Sequence, residues 1–206
     1  GAKSAIYSAA LFRKGMGEWE RAIKNYQQFM ATFPEDEKNI GIKLTIAKIY
    51  QDNEKWSEAS KVFYTLFSAS APEGVSPDQA FYARLQYGLA LESLNQVSKA
   101  NKHWDDTLSA YTKATDGGTT FEVANEFIAQ IMLKKALPEF ESYMALDISG
   151  PTNPNMNKKK RDELVMKQLV GKAEALKKLE ETYGAIIGTG AGEWGLAALL
   201  DLGKAY

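Results

Sequence analysis

Few residues in this chain have the type and spacing that chemistry requires. His103 is the only histidine, and cysteine is absent. A single imidazole becomes a general base or a metal ligand only with partners at matched spacing. His103 instead lies on a helix-like stretch beside Trp104 and reads as a structural or surface side chain. Gly188-Thr189-Gly190-Ala191-Gly192 has the glycine density of a phosphate loop. It lacks the Lys-Ser/Thr that should follow, and no strand pattern precedes it, so it reads as an interhelical turn. Asp105-Asp106 and Glu180-Glu181 are sequence neighbours on helical stretches, where adjacent side chains diverge. They read as solvated charge rather than acid–base pairs. Lys158-Lys159-Lys160-Arg161 is the one dense basic cluster, suited to phosphate or an acidic partner. Asp162 and Glu163 follow at once, and a solvated helix start accounts for it. No metal-ligand spacing occurs, so no catalytic residue, metal or cofactor is assigned, and a non-enzymatic chain is expected.

Composition sets the remaining limits. Of 206 residues, 45% are apolar, enough for a core, and 25% are charged with a net charge of −1. That balance gives no reason to expect nucleic acid or an anionic membrane as partner. Without cysteine there are no disulfides or thiolate metal sites, which suits an oxidising or a cytosolic compartment equally. No apolar run reaches the roughly 18 residues of a membrane-spanning helix. Gly1-Ala2-Lys3 does not begin the apolar stretch of a secretion signal.

The elements that would position any site are helical. Apolar residues at Ile6, Ala9, Ala10 and Phe12 predict a helix over 4–16. A second is expected from about Glu18 to Thr32, burying Trp19, Ala22, Ile23, Tyr26 and Phe29 and stopped by Pro34. The next pair is predicted over 39–52 and 56–69, the latter burying Ala59, Val62, Phe63, Leu66 and Phe67. After a loop at 70–76, Ser76 or Asp78 caps a third pair over 77–94 and 97–114. Gly117-Gly118 marks a turn. Residues 120–135 predict another helix, with Pro138 opening a short one that ends near Leu146. The stretch 149–157, with Pro151, Pro154 and three asparagines, is the expected internal boundary. It separates repeats over 1–148 (units about 4–34, 39–70, 77–114 and 120–147) from a segment at 158–206. That segment starts with a helix over 158–187, striped by Leu164, Val165, Leu169, Ala173, Leu176, Leu179, Tyr183 and Ile186. Gly171 and Gly184 are its weak points. A final helix begins at Glu193.

A phrase recurs along these helices. Glu18-Trp19-Glu20-Arg21-Ala22-Ile23-Lys24-Asn25-Tyr26 returns 37 positions on as Lys55-Trp56-Ser57-Glu58-Ala59-Ser60-Lys61-Val62-Phe63. It returns more weakly as Gln96-Val97-Ser98-Lys99-Ala100-Asn101-Lys102-His103-Trp104. A period of this size marks stacked supersecondary units, none of which buries its apolar stripe alone. The small residues Ala47, Ala59, Gly88 and Ala100 are expected where helices approach closely, with Trp56, Phe63 and Trp104 filling the space around them. Each such ring contributes roughly 4–6 kcal/mol of gross transfer free energy.

With Ile46-Ala47, Tyr50, Trp56, Ala59, Phe63 and Leu66 in one unit and Tyr87-Gly88, Leu91, Val97, Ala100 and Trp104 in the next, the chain resembles tetratricopeptide (TPR) repeats. The first unit offers Trp19, Ala22, Tyr26 and Pro34, and Leu202-Gly203-Lys204-Ala205-Tyr206 matches the family's first-helix signature. The resemblance implies an all-α right-handed α-α superhelix, a TPR-like solenoid of antiparallel helix pairs. It also implies a concave groove lined by the first helix of each pair. Its positions here would be Leu44, Thr45, Lys48, Gln51 and Asp52, then Leu85, Gln86, Leu89, Glu92 and Ser93. An equal alternative is that several of these pack against the neighbouring repeat. The Lys–Asn pair with which chaperone-binding members clamp a carboxylate is missing, since Leu44 and Lys48 stand there. A protein or peptide held in side-chain pockets is the expected partner.

Two functions follow as expectations. One is a non-catalytic interaction scaffold. The other is an accessory or regulatory domain of a larger enzyme or sensor. Leu179-Glu180-Glu181-Thr182-Tyr183 and Gly192-Glu193-Trp194-Gly195-Leu196-Ala197-Ala198-Leu199 resemble long bacterial envelope TPR proteins of the gliding-motility type. Relatives in outer-membrane assembly share that architecture, so the periplasm or cell envelope is favoured over the cytoplasm. The helix from Glu193 shows a first-helix signature with no second helix after it. It reads either as part of a longer repeat protein or as a surface for self-association with a second copy.

Overall fold

The computed structural model describes residues 1–151, 153 and 155–206. The chain is all-α: 76% is helical, with no strand among the described residues. Its helices are α1 (Ala2–Gly15), α2 (Trp19–Thr32), α3 (Lys38–Asp52), α4 (Trp56–Tyr64), α5 (Pro77–Ser93), α6 (Val97–Asp116), α7 (Ala124–Met144), α8 (Lys158–Gly188) and α9 (Gly192–Ala205). Two compact units divide the chain, Gly1–Ala124 and Asn125–Tyr206. The stretch 149–157 therefore falls inside the second unit, and its Pro154 lies outside the described residues.

In the first unit each helix from α1 to α6 packs on the next, an arrangement compatible with a helical repeat. The repeated phrase has a repeated backbone. Gly17, Glu54 and Asn95 all take left-handed φ, at +76°, +57° and +57°. The amide that follows each reaches back five residues: Glu18 N–H to Arg13 O, Lys55 N–H to Tyr50 O, Gln96 N–H to Leu91 O. These are Schellman closures, which satisfy orphan carbonyls and turn the chain sharply into the next helix. Each turn then delivers a small residue to a close crossing, and Ala22, Ala59 and Ala100 are fully buried. Around them lie Tyr26, Phe29, Phe63, Leu66 and Trp104.

Several expected boundaries shift. Helix α4 stops at Tyr64 rather than near Ala69. From Thr65 to Phe67 the amides bond three residues back instead of four, and Thr65 Oγ1 donates to Val62 O at 2.7 Å. This local side-chain bond competes with helix continuation. Ser76 is the cap of α5, in a reciprocal capping box with Gln79. Asp78 does something else: its carboxylate accepts the N–H groups of Glu122, Val123 and Ala124 at 2.7–3.1 Å. Phe12, placed on a core face by its spacing, is 72% exposed; Tyr7 supplies the aromatic contact instead, against Tyr26 and Phe29.

Helix α7 starts at Ala124, the last residue of the first unit, so Phe121 precedes it, and it runs through Pro138 without a break. The proline forfeits one backbone bond. Ala136 and Tyr143, buried on either side of it, hold the helix in the core with Leu179, Tyr183, Ile186 and Ala198. Tyr143 Oη donates to Ala205 O at 2.8 Å across that core. Helix α8 is continuous through Gly171 and Gly184. Only Leu179, Tyr183 and Ile186 of its stripe are buried, while Leu164, Leu169 and Ala173 are exposed.

Candidate functional site

The candidate site lies on α3 and α5. Both helices are anchored by opposite faces: Ile42, Ile46, Ala47 and Ile49 on α3, and Phe81, Ala83, Leu85, Gly88, Ala90 and Leu91 on α5, are buried. Residues on the remaining faces are free to meet. Gln51 Nε2 donates to Gln86 Oε1 at 2.8 Å, joining two groove positions 35 residues apart. Gln51 Oε1 is itself buried and takes no hydrogen bond among the described residues. Lys48 Nζ pairs with Asp52 Oδ1 at 2.5 Å along α3, with both side chains about half exposed. An exposed pair of this kind contributes at most about 0.5 kcal/mol, so both groups remain available to a ligand.

The other positions divide. Leu44, Gln86 and Leu89 are half-buried, and Thr45 turns its hydroxyl onto Gly41 O at 2.9 Å. Ser93 Oγ donates to Leu89 O at 3.1 Å, a bond within its own helix. Glu92 accepts from Trp104 Nε1 at 3.1 Å and so helps fix the α5–α6 crossing. Leu85 is a correction: at 3% exposure it is a core residue and offers no surface to a partner. On α5 the phase that places Gln86 and Leu89 outward turns Leu85 into the core.

Sequence reasoning missed Tyr82. Its hydroxyl is pushed up from its ordinary value by burial, with the Lys48 charge opposing and the Asp52 charge adding. The phenol is thus within electrostatic reach of the α3 pair. Its signal was available, since Tyr82 precedes Gln86 by one helical turn and shares its face. A second feature also went unread. An open cleft of about 290 Å³ is lined by Gln27, Met30, Lys43, Ile46, Tyr50, Lys61, Val62 and Thr65, and none of these is a groove position.

His103 is buried, its Nε2 lying 2.8 Å from Arg84 O, which makes that nitrogen the donor. The rings of Phe67, Tyr87 and Trp104 surround it at 4.8–5.5 Å. Burial holds its pKa below the ordinary value. It is a structural imidazole joining α6 to α5. Among the described residues no three acidic or histidine side chains gather as a metal site. No helix among them is long and apolar enough to cross a membrane. No family model matches the chain, and no curated protein matches it.

Proposed function

We propose that this chain is a non-catalytic interaction scaffold of TPR-like helix pairs, holding an extended peptide on the surface shared by α3 and α5. The observation that carries the reading is the Gln51–Gln86 hydrogen bond, which links the exposed faces of α3 and α5. Around it lie a cation, an anion, a phenol and the half-buried Leu44 and Leu89. Such a surface offers polar orientation and shallow apolar pockets, the combination that peptide grooves use. A right-handed superhelical stack and an envelope assembly as the setting belong to the same proposal. They rest on the sequence resemblance.

The test is affinity capture from the source organism's envelope fraction with the chain and with a Lys48→Glu/Gln86→Ala variant. Both side chains lie outside the core, so the variant should fold with an unchanged helical spectrum. Loss of one specific partner supports the groove. Identical partner sets for the two proteins remove it.

A further inference from the structure

The cleft formed by α2, α3 and α4 has a counterpart one repeat further on, formed by α4, α5 and α6. The recurring phrase carries α2 onto α4 and α4 onto α6, and the left-handed turns at Glu54 and Asn95 carry α3 onto α5. In this register Gln27, Met30, Ile46 and Val62 of the cleft become Tyr64, Phe67, Tyr87 and His103. Those four rings fill the second gap, with centroids 4.8–5.6 Å apart. Lys43 becomes Arg84, whose guanidinium lies over the Phe67 ring at 4.7 Å. Thr65 becomes Asp106; burial lowers the Arg84 pKa and the Asp106 charge raises it, so cation and carboxylate sense each other. The second gap thus holds aromatic rings, a cation and a carboxylate, all supplied by the chain. In the first gap smaller or aliphatic side chains replace the rings and threonine replaces the acid, leaving a space of about 290 Å³. The cations stay. Lys43 is half-buried and Lys61 exposed, and among the described residues no carboxylate lines the cleft or pairs with either.

We infer that this cleft binds a small aromatic carboxylate, its ring on Met30, Ile46 and Val62 and its carboxylate held by Lys43 and Lys61. Register selects the ring, because the same space one repeat on is occupied by rings stacked beneath a cation. Charge selects the anion. Two ammonium groups above an apolar floor, with no acid to neutralise them, complement a ligand that brings both an apolar body and a carboxylate. Size selects a small molecule. Small-molecule sites run from about 300 to 1,000 Å³, so a cleft of about 290 Å³ takes one ring system rather than a length of peptide. The remaining lining groups, the Gln27 amide and the Tyr50 and Thr65 hydroxyls, can donate or accept at its rim. The cleft shares no residue with the α3–α5 groove, and either can fail without the other.

The test titrates the full 206-residue chain with indole-3-acetate and with phenylacetate, followed by NMR of the methionine and isoleucine methyl groups. Saturable shifts of the Met30 and Ile46 methyls are expected with at least one of the two. Thr65→Asp, which installs the counterpart of Asp106, should weaken binding about tenfold, as should Lys61→Gln, each at the cost of one charge-assisted hydrogen bond. Thr65 and Lys61 are both exposed, so the variants should keep their helical spectrum. Tryptophol, the indole without its carboxylate, should also bind about tenfold more weakly than indole-3-acetate. No saturable shift with either acid would overturn the inference. So would binding that Thr65→Asp and Lys61→Gln leave intact, or tryptophol binding as well as the acid. A peptide arm uses acetyl-Gly-Gly-Trp with a free carboxylate: tighter binding than indole-3-acetate at the same methyls would make a protein C-terminus the occupant and overturn the small-molecule assignment.

Discussion

Gly88→Ala is the sharpest perturbation of the α5–α6 crossing. A Cβ at this position would lie 2.0, 2.2 and 2.5 Å from three carbons of the Trp104 ring. Carbon atoms pack at about 3.5–4.0 Å, so the indole must retreat by roughly 1.5 Å. It has little freedom to do so, being 1% exposed and tied through Nε1 to Glu92 at 3.1 Å. Overpacking a core by one methyl costs about 1–3 kcal/mol, and complete loss of a tryptophan's packing about 3–5 kcal/mol. Against this stands the gain of about 0.8–1 kcal/mol from alanine over glycine within a helix. Contacts this short on a tethered indole place the cost in the upper range, so the net expectation is a loss of about 2–4 kcal/mol, and about 4 °C of melting temperature per kcal/mol for a unit of this size. Urea unfolding followed by circular dichroism reads it. Gly41→Ala is the matched control, because Gly41 lies inside α3 with nothing within 4 Å of the added carbon. It should gain about 0.5–1 kcal/mol. If Gly88→Ala were as stable as the parent while Gly41→Ala behaved as described, the close crossing would be refuted.

Two further outcomes follow from the same unit. Glu54 holds the left-handed turn conformation that Gly17 holds in the first repeat, so Glu54→Gly should stabilise by about 1 kcal/mol, seen as a higher urea midpoint. The His103 pKa is held below its ordinary value, with desolvation lowering it, the Arg84 carbonyl opposing and the Arg84 charge reinforcing. Its folded pKa lies below the unfolded value of 6.5, so the native state binds fewer protons. Its contribution is complete above that value and declines as pH falls through the window beneath it. Stability should drop as pH falls below 6.5, and His103→Gln should flatten that slope in urea titrations.

The fold was legible where a local rule had no competitor. Ser76 with Gln79, the Trp–Ala–aromatic phrase and the small Gly88 opposite Trp104 each encode their own geometry. Burial was legible only in part, because periodicity marks an apolar stripe without saying what covers it. Phe12 and Leu169 lie on helical stripes yet are 72% and 42% exposed, while Leu85, expected on the groove, is buried. Pro138 illustrates a different failure. Read alone it opens a helix, yet core contacts at Ala136 and Tyr143 outweigh one lost hydrogen bond. Of the groove, both Gln51 and Gln86 were named from the sequence, but their meeting 35 residues apart was not, and the division between surface and packing residues depended on helix phase.

Helix α8 spans 31 residues, about 46 Å, yet its buried side chains begin only at Leu179. Before that point its contacts are few and exposed: midway along, Lys172 Nζ donates to Leu146 O at 3.0 Å, and Val165 lies close to Gly150. One rod thus combines two local stabilities. Its amides before about residue 172 should exchange with solvent deuterium through fraying, while those beyond Leu179 wait for the second unit to open. A single element therefore acts as root at one end and as free shaft at the other.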